Sequence, residues 1–285
     1  MPQNRKLCYF FLYVTLVFMG CQTTGREQLP FQKNTEVLGT WWWWVDQDKQ
    51  AAHLDFAEKN GVNEIYYWTD RFNNRTGSFI EMAGKRNIKV FFLMEKFEYI
   101  WDYGAFSKTM ENFLAYQASA PHKRKFAGLH LDIEPQVHPE FEKNKLAFVQ
   151  DYMDFIVWVC DTYRNNTTID LDIAWWFDYN INYRGGKELL YKALIMEADR
   201  VFVMSYKNTA YKTYDVAKEE IAFAKSLNKQ IILGAETGNV DYEPDVTYYG
   251  KGAGYFNGEM QKLHKMVDYD NYGLSIHHIT TWYIM

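Results

Sequence analysis

Short apolar segments alternate with longer amphipathic segments along most of this chain, and this alternation strongly limits the folds open to it. The eight apolar segments of strand length are residues 37–42, 64–68, 88–93, 128–133, 169–174, 200–204, 230–234 and 273–276. Helical patterns lie between them, for example over residues 49–60, 103–118, 140–163, 215–227 and 254–267. Strands and helices in this order predict an α/β protein of the (β/α)8 TIM-barrel class, in which active sites lie at the carboxyl ends of the strands.

An open, doubly wound sheet is the alternative fold for such a pattern. Those sheets usually carry a glycine-rich phosphate-binding turn after the first strand, whereas this first strand runs into tryptophans at positions 41–44. No linker rich in Ser, Pro or Gly divides the chain, so we expect a single catalytic barrel domain over residues 36–285. Because the sequence ends at Met285, soon after the eighth strand, we expect the usual closing helix to be absent or replaced by the segment before Val37.

The first residues have the features of an export signal. Arg5 and Lys6 are followed by an apolar stretch over residues 7–20, which is too short for an ordinary transmembrane helix but suits a secretory signal. The stretch ends in a small residue followed by Cys21 and a polar segment, an arrangement that resembles the lipobox of bacterial lipoproteins.

This resemblance predicts a lipoprotein signal peptide at residues 1–20, lipidation of Cys21 and an N-terminal tether at residues 21–35. The protein would then be anchored in the bacterial cell envelope. Gln22 is not the Asp associated with inner-membrane retention, so we expect the outer rather than the inner membrane. Cleavage by the ordinary signal peptidase, which would release a secreted protein, is the alternative.

Composition narrows the class of partner. The formal net charge is −5 and no basic segment is visible, which argues against a nucleic-acid partner because phosphate binding needs clustered Lys and Arg. Aromatic residues make up 18% of the chain, a density typical of bulky cores or of sites that stack flat ligands such as sugars. We expect a monomer that binds an oligosaccharide or polysaccharide and needs no cofactor.

The fourth predicted strand carries three ionisable residues in alternation. His130, Asp132 and Glu134 share one face, because side chains alternate across a strand, and aliphatic residues occupy the other face. Two carboxylates held about 7 Å apart by two residues of strand rise perturb each other's pKa values. The outer carboxyl group can then remain protonated and act as a general acid.

The segment from Phe126 to Glu134 resembles the fourth-strand signature of family 18 glycoside hydrolases, which include chitinases and endo-β-N-acetylglucosaminidases. That signature reads Phe-Asp-Gly-aliphatic-Asp-x-Asp-x-Glu, and here Ala127 and His130 replace its first two aspartates. Two further matches follow in the expected order. They are Met204-Ser205-Tyr206 at the sixth strand and Trp282 beyond the last strand.

The resemblance implies a retaining glycosidase in which the substrate's own 2-acetamido group attacks the anomeric carbon. Glu134 would be the general acid and base, and Asp132 would orient and stabilise the acetamido group. Tyr206 would hydrogen-bond the acetamido oxygen, and Trp282 would stack beneath the sugar ring. His130 stands where the family has an Asp that tunes Asp132, and it could hydrogen-bond Asp132 instead.

Further candidates for substrate binding lie on the same rim. Asp172 is the most plausible inward residue of strand five, and Trp176 follows at the mouth of that strand. Glu236 lies at the end of strand seven. One of His277 and His278 should point inward, and half of the tryptophan run at positions 41–44 should do so, with Trp42 chosen as a sugar contact.

Two other functions remain open at this stage. A chitinase-like lectin would keep the barrel and bind glycans without cleaving them, but lectins of this kind lose the acid that Glu134 supplies here. A metal-dependent amidohydrolase or deacetylase could use His130, Asp132, Glu134 and His277 or His278 as ligands. The chain lacks the His-x-His that such barrels usually show after strand one, so no metal site is expected.

Overall fold

The computed structural model describes residues 37–43 and 45–285. The predicted signal peptide (1–20), Cys21, the tether (21–35), Glu36 and Trp44 lie outside the described residues. The strands are β1 (Val37–Trp42), β2 (Glu64–Trp68), β3 (Lys89–Met94), β4 (Leu129–Leu131), β5 (Ile169–Ala174), β6 (Asn180–Tyr183), β7 (Gly186–Leu189), β8 (Arg200–Met204), β9 (Ile231–Glu236) and β10 (Tyr272–His277). The helices are α1 (Gln50–Lys59), α2 (Asn74–Gly84), α3 (Tyr103–Ser119), α4 (Lys145–Tyr163), α5 (Leu190–Glu197), α6 (Ala210–Ser226), α7 (Ala253–Met266) and α8 (Ile279–Ile284).

Eight of these strands form a closed parallel barrel in the order β1-β10-β9-β8-β5-β4-β3-β2. This order confirms the predicted (β/α)8 barrel, and all eight predicted strand segments lie in its wall. Closure is made by β1, which pairs with β10 on one side and with β2 on the other. No described helix is both long and apolar enough to cross a membrane.

Two elements depart from the expectations. The closing helix is present, because the short helix α8 follows β10 directly, so its expected absence was wrong. An antiparallel hairpin, β6 and β7, is inserted after β5, and its turn residues Arg184 and Gly185 both have positive φ. Positive φ at both central residues is the geometry of a tight hairpin turn.

The barrel has two apolar layers because side chains alternate across each strand. One layer lies between the strands and the helices and includes Leu129, Leu131 and Ile133 of the fourth strand segment. The other fills the inside of the barrel and consists of Val37, Trp41, Trp43, Tyr66, Phe91, Leu93, Phe202 and Ile232. The barrel is therefore a packed core, and a ligand can enter only above its top layer.

An ion-pair network lies near the amino ends of the strands. The Arg200 guanidinium is 2.6 Å from the Asp170 carboxylate and 3.0 Å from the Glu64 carboxylate. Asp170 is fully buried and Arg200 is largely so. Charged groups at this depth are tolerated only when they are paired.

Candidate active site at the carboxyl ends of the strands

Two adjoining cavities open at the carboxyl ends of the barrel strands, with volumes of about 680 and 600 Å³. They share Asp132, Glu134 and His277, which therefore lie in the middle of one continuous cleft. Trp43 and Glu95 line the first cavity, and the second is lined by Trp175, Trp176, Tyr206 and Glu236 among others. The cleft thus combines carboxyl groups with aromatic walls.

Glu134 follows β4 and has an environment suited to a proton donor. Burial raises the pKa of its carboxyl above the ordinary value, while the charge of His277 and a hydrogen bond from the Gln136 side chain act in the opposite direction. The net effect favours the protonated form. A carboxyl group that lines the cleft and has a raised pKa can act as a general acid.

Asp132 lies deeper than Glu134, toward the barrel interior. Burial raises its pKa well above the ordinary value, and the negative charges of Asp172, Glu134 and Glu95 raise it further. Carboxyl groups packed so closely cannot all be ionised, because like charges in a poorly solvated site repel strongly. The site must therefore hold protons on some of its carboxyl groups.

Beside Asp132, on the neighbouring strand β5, the carboxylate of Asp172 is held by two donors. The Nε2 atom of His130 and the Nε1 atom of Trp41 lie 2.8 and 3.1 Å from its Oδ2 atom. Burial lowers the pKa of His130 to about 3, so the imidazole is neutral and Nε2–H is the donor. The Tyr66 ring stacks on the imidazole with 4.1 Å between ring centroids. His130 therefore bonds Asp172, not Asp132 as the sequence analysis allowed.

Tyr206 enters the cleft from the segment after β8. Burial and the charges of Glu236, Asp172, Asp132 and Glu134 raise the pKa of its hydroxyl well above the ordinary value, so the phenol stays neutral and can donate. The Tyr206 ring occupies space left by Gly234 on β9. An added Cβ atom at Gly234 would lie only 2.8 Å from Tyr206 Cε1.

The Glu236 carboxylate is in close contact with His277 at the end of β10. Its Oε2 atom is 2.6 Å from His277 Nδ1, and its other carboxylate oxygen accepts a hydrogen bond from the backbone N–H of Gly238. Burial opposes ionisation, but the His277 hydrogen bond and charge, together with the Gly238 N–H, lower the pKa of Glu236 below the ordinary value. The pKa values of Glu236 and Glu134 are therefore shifted in opposite directions, which favours an ionised Glu236 and a protonated Glu134.

The structure brings five of the predicted site residues to the cleft wall: Asp132, Glu134, Trp176, Tyr206 and Glu236. His277 is the histidine that reaches both cavities, and His278 lines the first.

Four predicted sugar contacts do not line the cleft. Trp42 points outward and packs against Phe79 in the layer beneath the helices. Trp282 is 4% exposed and lies on α8 against Phe56, so it cannot form the floor of a sugar subsite. His130 and Asp172 are 0% and 2% exposed, because they lie inside the barrel below the level that a ligand reaches. All four are corrections to the sequence analysis.

Two cleft residues were missed by sequence reasoning. Trp43 lines the first cavity, and its indole Nε1–H donates to the Glu95 carboxylate at 2.6 Å. Burial raises the pKa of Glu95 despite this hydrogen bond. Glu95 directly follows β3, a position where a carboxylate belongs to the active end of a barrel, so its placement in sequence was the available signal.

Within the part of the chain that the structure describes, no group of three or more His, Cys, Asp or Glu residues has an arrangement that could hold a metal ion. The residues considered as metal ligands from the sequence lie at different depths in the barrel. His130 is bonded to Asp172 inside the barrel, whereas Glu134 and His277 line the cleft above it.

The fold and this cleft define a (β/α)8 barrel with a carboxyl-rich, aromatic groove at the active end of its strands. No family model and no curated protein matches the chain in sequence. Solved structures do match its fold. One is the spore cortex-lytic enzyme SleL of Bacillus cereus, with a TM-score of 0.53 and 13% identity over 86% of this chain and 71% of that chain.

A second is a family 18 chitinase of Cycas revoluta in complex with a tetramer of N-acetylglucosamine, with a TM-score of 0.53 and 9% identity over 86% of this chain and 95% of that one. A third is a family 17 β-1,3-glucanosyltransferase of Rhizomucor miehei, with a TM-score of 0.53 and 10% identity over 84% of this chain and 85% of that one. At these identities the likeness establishes a shared fold. That fold is the one used by several glycoside hydrolases.

Proposed function

We propose that this protein is a glycoside hydrolase that cleaves a glycan containing N-acetylhexosamine, with retention of anomeric configuration. The observation that carries the proposal is the pair Asp132 and Glu134 in the middle of the cleft, both with raised pKa values. Its support from comparison is that solved structures with this fold include a chitinase bound to an N-acetylglucosamine oligomer.

In the proposed first step, Glu134 donates its proton to the glycosidic oxygen as the bond from that oxygen to the anomeric carbon breaks. The carbonyl oxygen of the substrate's 2-acetamido group forms the new bond to the anomeric carbon, which gives an oxazolinium intermediate and a Glu134 carboxylate. In the second step, that carboxylate takes a proton from the water that attacks the anomeric carbon, and the bond from this carbon to the acetamido oxygen breaks, which restores the neutral acetamido group and the protonated Glu134. The enzyme itself supplies no nucleophile, and the two inversions restore the original configuration.

Asp132 and Tyr206 act on the acetamido group in this proposal. The Asp132 carboxylate accepts a hydrogen bond from the amide N–H and stabilises the positive charge that develops on the ring, and the Tyr206 hydroxyl donates a hydrogen bond to the acetamido oxygen. Both line the same cavity as Glu134. Trp43 and Trp176 line opposite cavities and supply aromatic surface for sugar rings on the two sides of Glu134.

Two alternative functions would give different results in the activity assay described below. A non-catalytic glycan-binding lipoprotein would bind sugars in the same cleft without turnover. A metal-dependent amidohydrolase or deacetylase would lose its activity on chelation.

We also propose that the chain is exported and anchored by lipid at Cys21, in the outer membrane of a bacterial envelope, and that it acts as a monomer. The support for export and anchoring is the basic start, the apolar stretch over residues 7–20 and the small residue before Cys21. Labelling of the expressed full chain with a radioactive fatty acid, and its loss in Cys21→Ser, would test the anchor.

The function is tested with a panel of N-acetylglucosamine oligomers, their de-N-acetylated counterparts and released N-glycans, with and without EDTA. We expect turnover of acetamido sugars that survives EDTA, with the product first released in the configuration of the substrate. Equal turnover of the de-N-acetylated oligomers would exclude the substrate-assisted route, and loss with EDTA would favour the metal-dependent alternative. Sugar binding without turnover would favour the lectin.

A further inference from the structure

Asp172 lies on β5 at the level of Asp132, just below the cleft. In the register of β4 and β5, His130 pairs with Asp170 and Leu131 with Leu171, so the next residues, Asp132 and Asp172, are neighbours. Their side chains point to the same side, because both alternate with outward aliphatic residues. The two carboxyl groups are close enough for one to donate to the other when one of them is protonated.

One oxygen of each carboxyl group lacks an ordinary donor. Among the described residues, Asp132 Oδ1 and Asp172 Oδ1 are both buried without a hydrogen-bond partner. A buried carboxylate oxygen left in this state costs free energy. A proton shared between the two carboxyl groups removes the cost for both, because one group then donates to the other.

The surroundings decide which carboxyl group carries the proton. Asp172 Oδ2 already accepts the N–H groups of His130 and Trp41, at 2.8 and 3.1 Å. Hydrogen bonds of this kind stabilise the ionised form of their acceptor. Asp132 has no such donors in the described part of the chain, and it is packed among the carboxyl groups of Asp172, Glu134 and Glu95. Burial raises the pKa of both carboxyl groups, and the two donors on Asp172 favour placing the proton on Asp132, with Asp172 as the anion that accepts it.

We propose that Asp172 is a positioning residue that holds and exchanges the proton of Asp132, with Trp41 and His130 fixing its carboxylate from below. Because Asp172 is 2% exposed and lines neither cavity, it acts through Asp132 and does not touch the substrate.

The exchange is a single proton transfer. When a substrate amide N–H approaches Asp132, the O–H bond of Asp132 breaks and an O–H bond forms on Asp172. Asp132 becomes the carboxylate that accepts the amide N–H and stabilises the positive charge, and Asp172 becomes neutral. The proton returns when the product leaves. This role rests on the proposed function, but the shared proton itself does not.

The kinetic test compares Asp172→Asn with wild type on an acetamido oligomer that wild type cleaves. Asn keeps an oxygen that can accept the Trp41 and His130 donors, but it cannot hold the proton. We expect kcat to fall about 100-fold with KM changed by less than about threefold. In an Asp132→Asn background, the same change should lower kcat by no more than about twofold, because Asp172 acts only through Asp132.

Asp178→Asn is the matched control, since it removes an exposed carboxylate from the loop after the same strand. Its kcat should equal that of wild type. If Asp172→Asn lowers kcat by the same factor with and without Asp132, or changes KM alone, the proposed role is wrong.

A readout that needs no activity is the carbon-13 signal of aspartate side-chain carboxyl groups, followed as a function of pH. The ionisable groups that face the pair are Tyr66, Glu95, His130, Glu134, Tyr152, Tyr206 and His277. Wild type should show one protonated aspartate signal near neutral pH that is absent from Asp132→Asn. In Asp172→Asn the midpoint should move down by more than about one pH unit, because the neighbouring anion is gone.

Trp41→Phe provides a second variant should Asp172→Asn fail to fold. It removes one donor from Asp172, so the shared proton should bind more tightly and its midpoint should rise. An unchanged midpoint in both folded variants, or in the one that folds, would overturn the shared proton. A wild-type protein that shows the proton but cleaves no glycan would refute the proposed function and leave the proton pair intact.

Discussion

At the residue scale, the cleft separates carboxyl groups by the partners that each has. Glu236 has His277 and a backbone N–H and is kept ionised, whereas Glu134 has a raised pKa in the same cleft. Two carboxyl groups of the same chemical type thus favour different protonation states. This separation provides one proton donor and one fixed negative charge at the same edge of the barrel.

Tyr206→Phe tests the contact to the acetamido group. Loss of a single hydrogen bond that forms in the transition state should lower kcat about 10- to 100-fold on acetamido sugars. Phe fills the same space beside Gly234, so the fold should be unaffected. Initial rates at saturating substrate measure the effect, with the exposed Tyr211→Phe as control. A variant as fast as wild type would remove Tyr206 from the mechanism.

His130 makes the stability of the protein depend on pH. Its pKa is lowered by burial to about 3, from 6.5 in an exposed histidine. Between these values the unfolded chain binds a proton that the native state does not, so this residue's contribution falls as pH falls. From pH 7 to pH 4.5, wild type should lose about 2.5 kcal/mol of unfolding free energy relative to His130→Gln.

Urea unfolding of the two proteins across this pH range measures the difference. His122→Gln is the control, because His122 is exposed, and its pH profile should follow that of wild type. Parallel profiles for wild type and His130→Gln would contradict a neutral, buried imidazole.

At the element scale, glycines on the strands make room for the large side chains inside the barrel. An added Cβ atom at Gly39 would lie 2.0 Å from the Tyr66 hydroxyl, and one at Gly234 would lie 2.8 Å from the Tyr206 ring. Both distances are too short for real atoms, so the backbone or the ring must move. The position of Tyr206 therefore depends on β9 as much as on the segment after β8 that carries it.

Gly234→Ala should displace Tyr206 without changing any charge in the cleft. We expect kcat on acetamido sugars to fall at least about tenfold, since small misplacements of positioning groups are costly. Gly254→Ala on α7 is the control, because nothing lies within 4 Å of its added Cβ atom. Equal activity of the two variants would show that the close approach of Gly234 to the Tyr206 ring does not position Tyr206.

Sequence patterns predict the elements of this fold better than they predict the depth of a side chain within it. The alternation along β4 and β5 correctly gives the inward faces of Asp132 and Asp172. It cannot show that His130 and Asp172 lie below the cleft, because depth depends on the register between strands that are distant in sequence.

The tryptophan run shows a second limit. Consecutive apolar residues contain no polar member that would show which of them point inward. The prediction that Trp42 points inward is therefore wrong, because Trp41 and Trp43 are the inward residues. Trp282 was placed by the resemblance to a family, and the packing of α8 against Phe56 overrides it.

At the scale of the whole molecule, the barrel carries ionised groups near both ends. Near the amino ends, Arg200 bridges Asp170 on β5 and Glu64 on β2, which are far apart in the order of strands around the barrel. This network crosses the barrel interior and leaves the carboxyl ends free for the cleft. Stability and chemistry are thus located at opposite ends of the same strands.

Arg200→Met should destabilise the fold by about 3–5 kcal/mol, because it leaves two buried carboxylates without their cationic partner. Lys218→Met removes an exposed ion pair with Asp215 and should cost less than about 1 kcal/mol. Urea unfolding near neutral pH measures both variants. An Arg200→Met protein within about 1 kcal/mol of wild type would mean that the network is not needed for barrel stability.

The most direct test of the proposed mechanism is Glu134→Gln, measured for turnover and for binding of the same acetamido oligomer. Gln keeps the size and the polar contacts of the side chain but carries no proton for the leaving oxygen. Glu142→Gln, an exposed change outside the cleft, is the control. We expect a loss of kcat of at least about 1000-fold in Glu134→Gln, with the dissociation constant changed by less than about fivefold. A rate within a factor of about three of wild type would contradict the proposed mechanism.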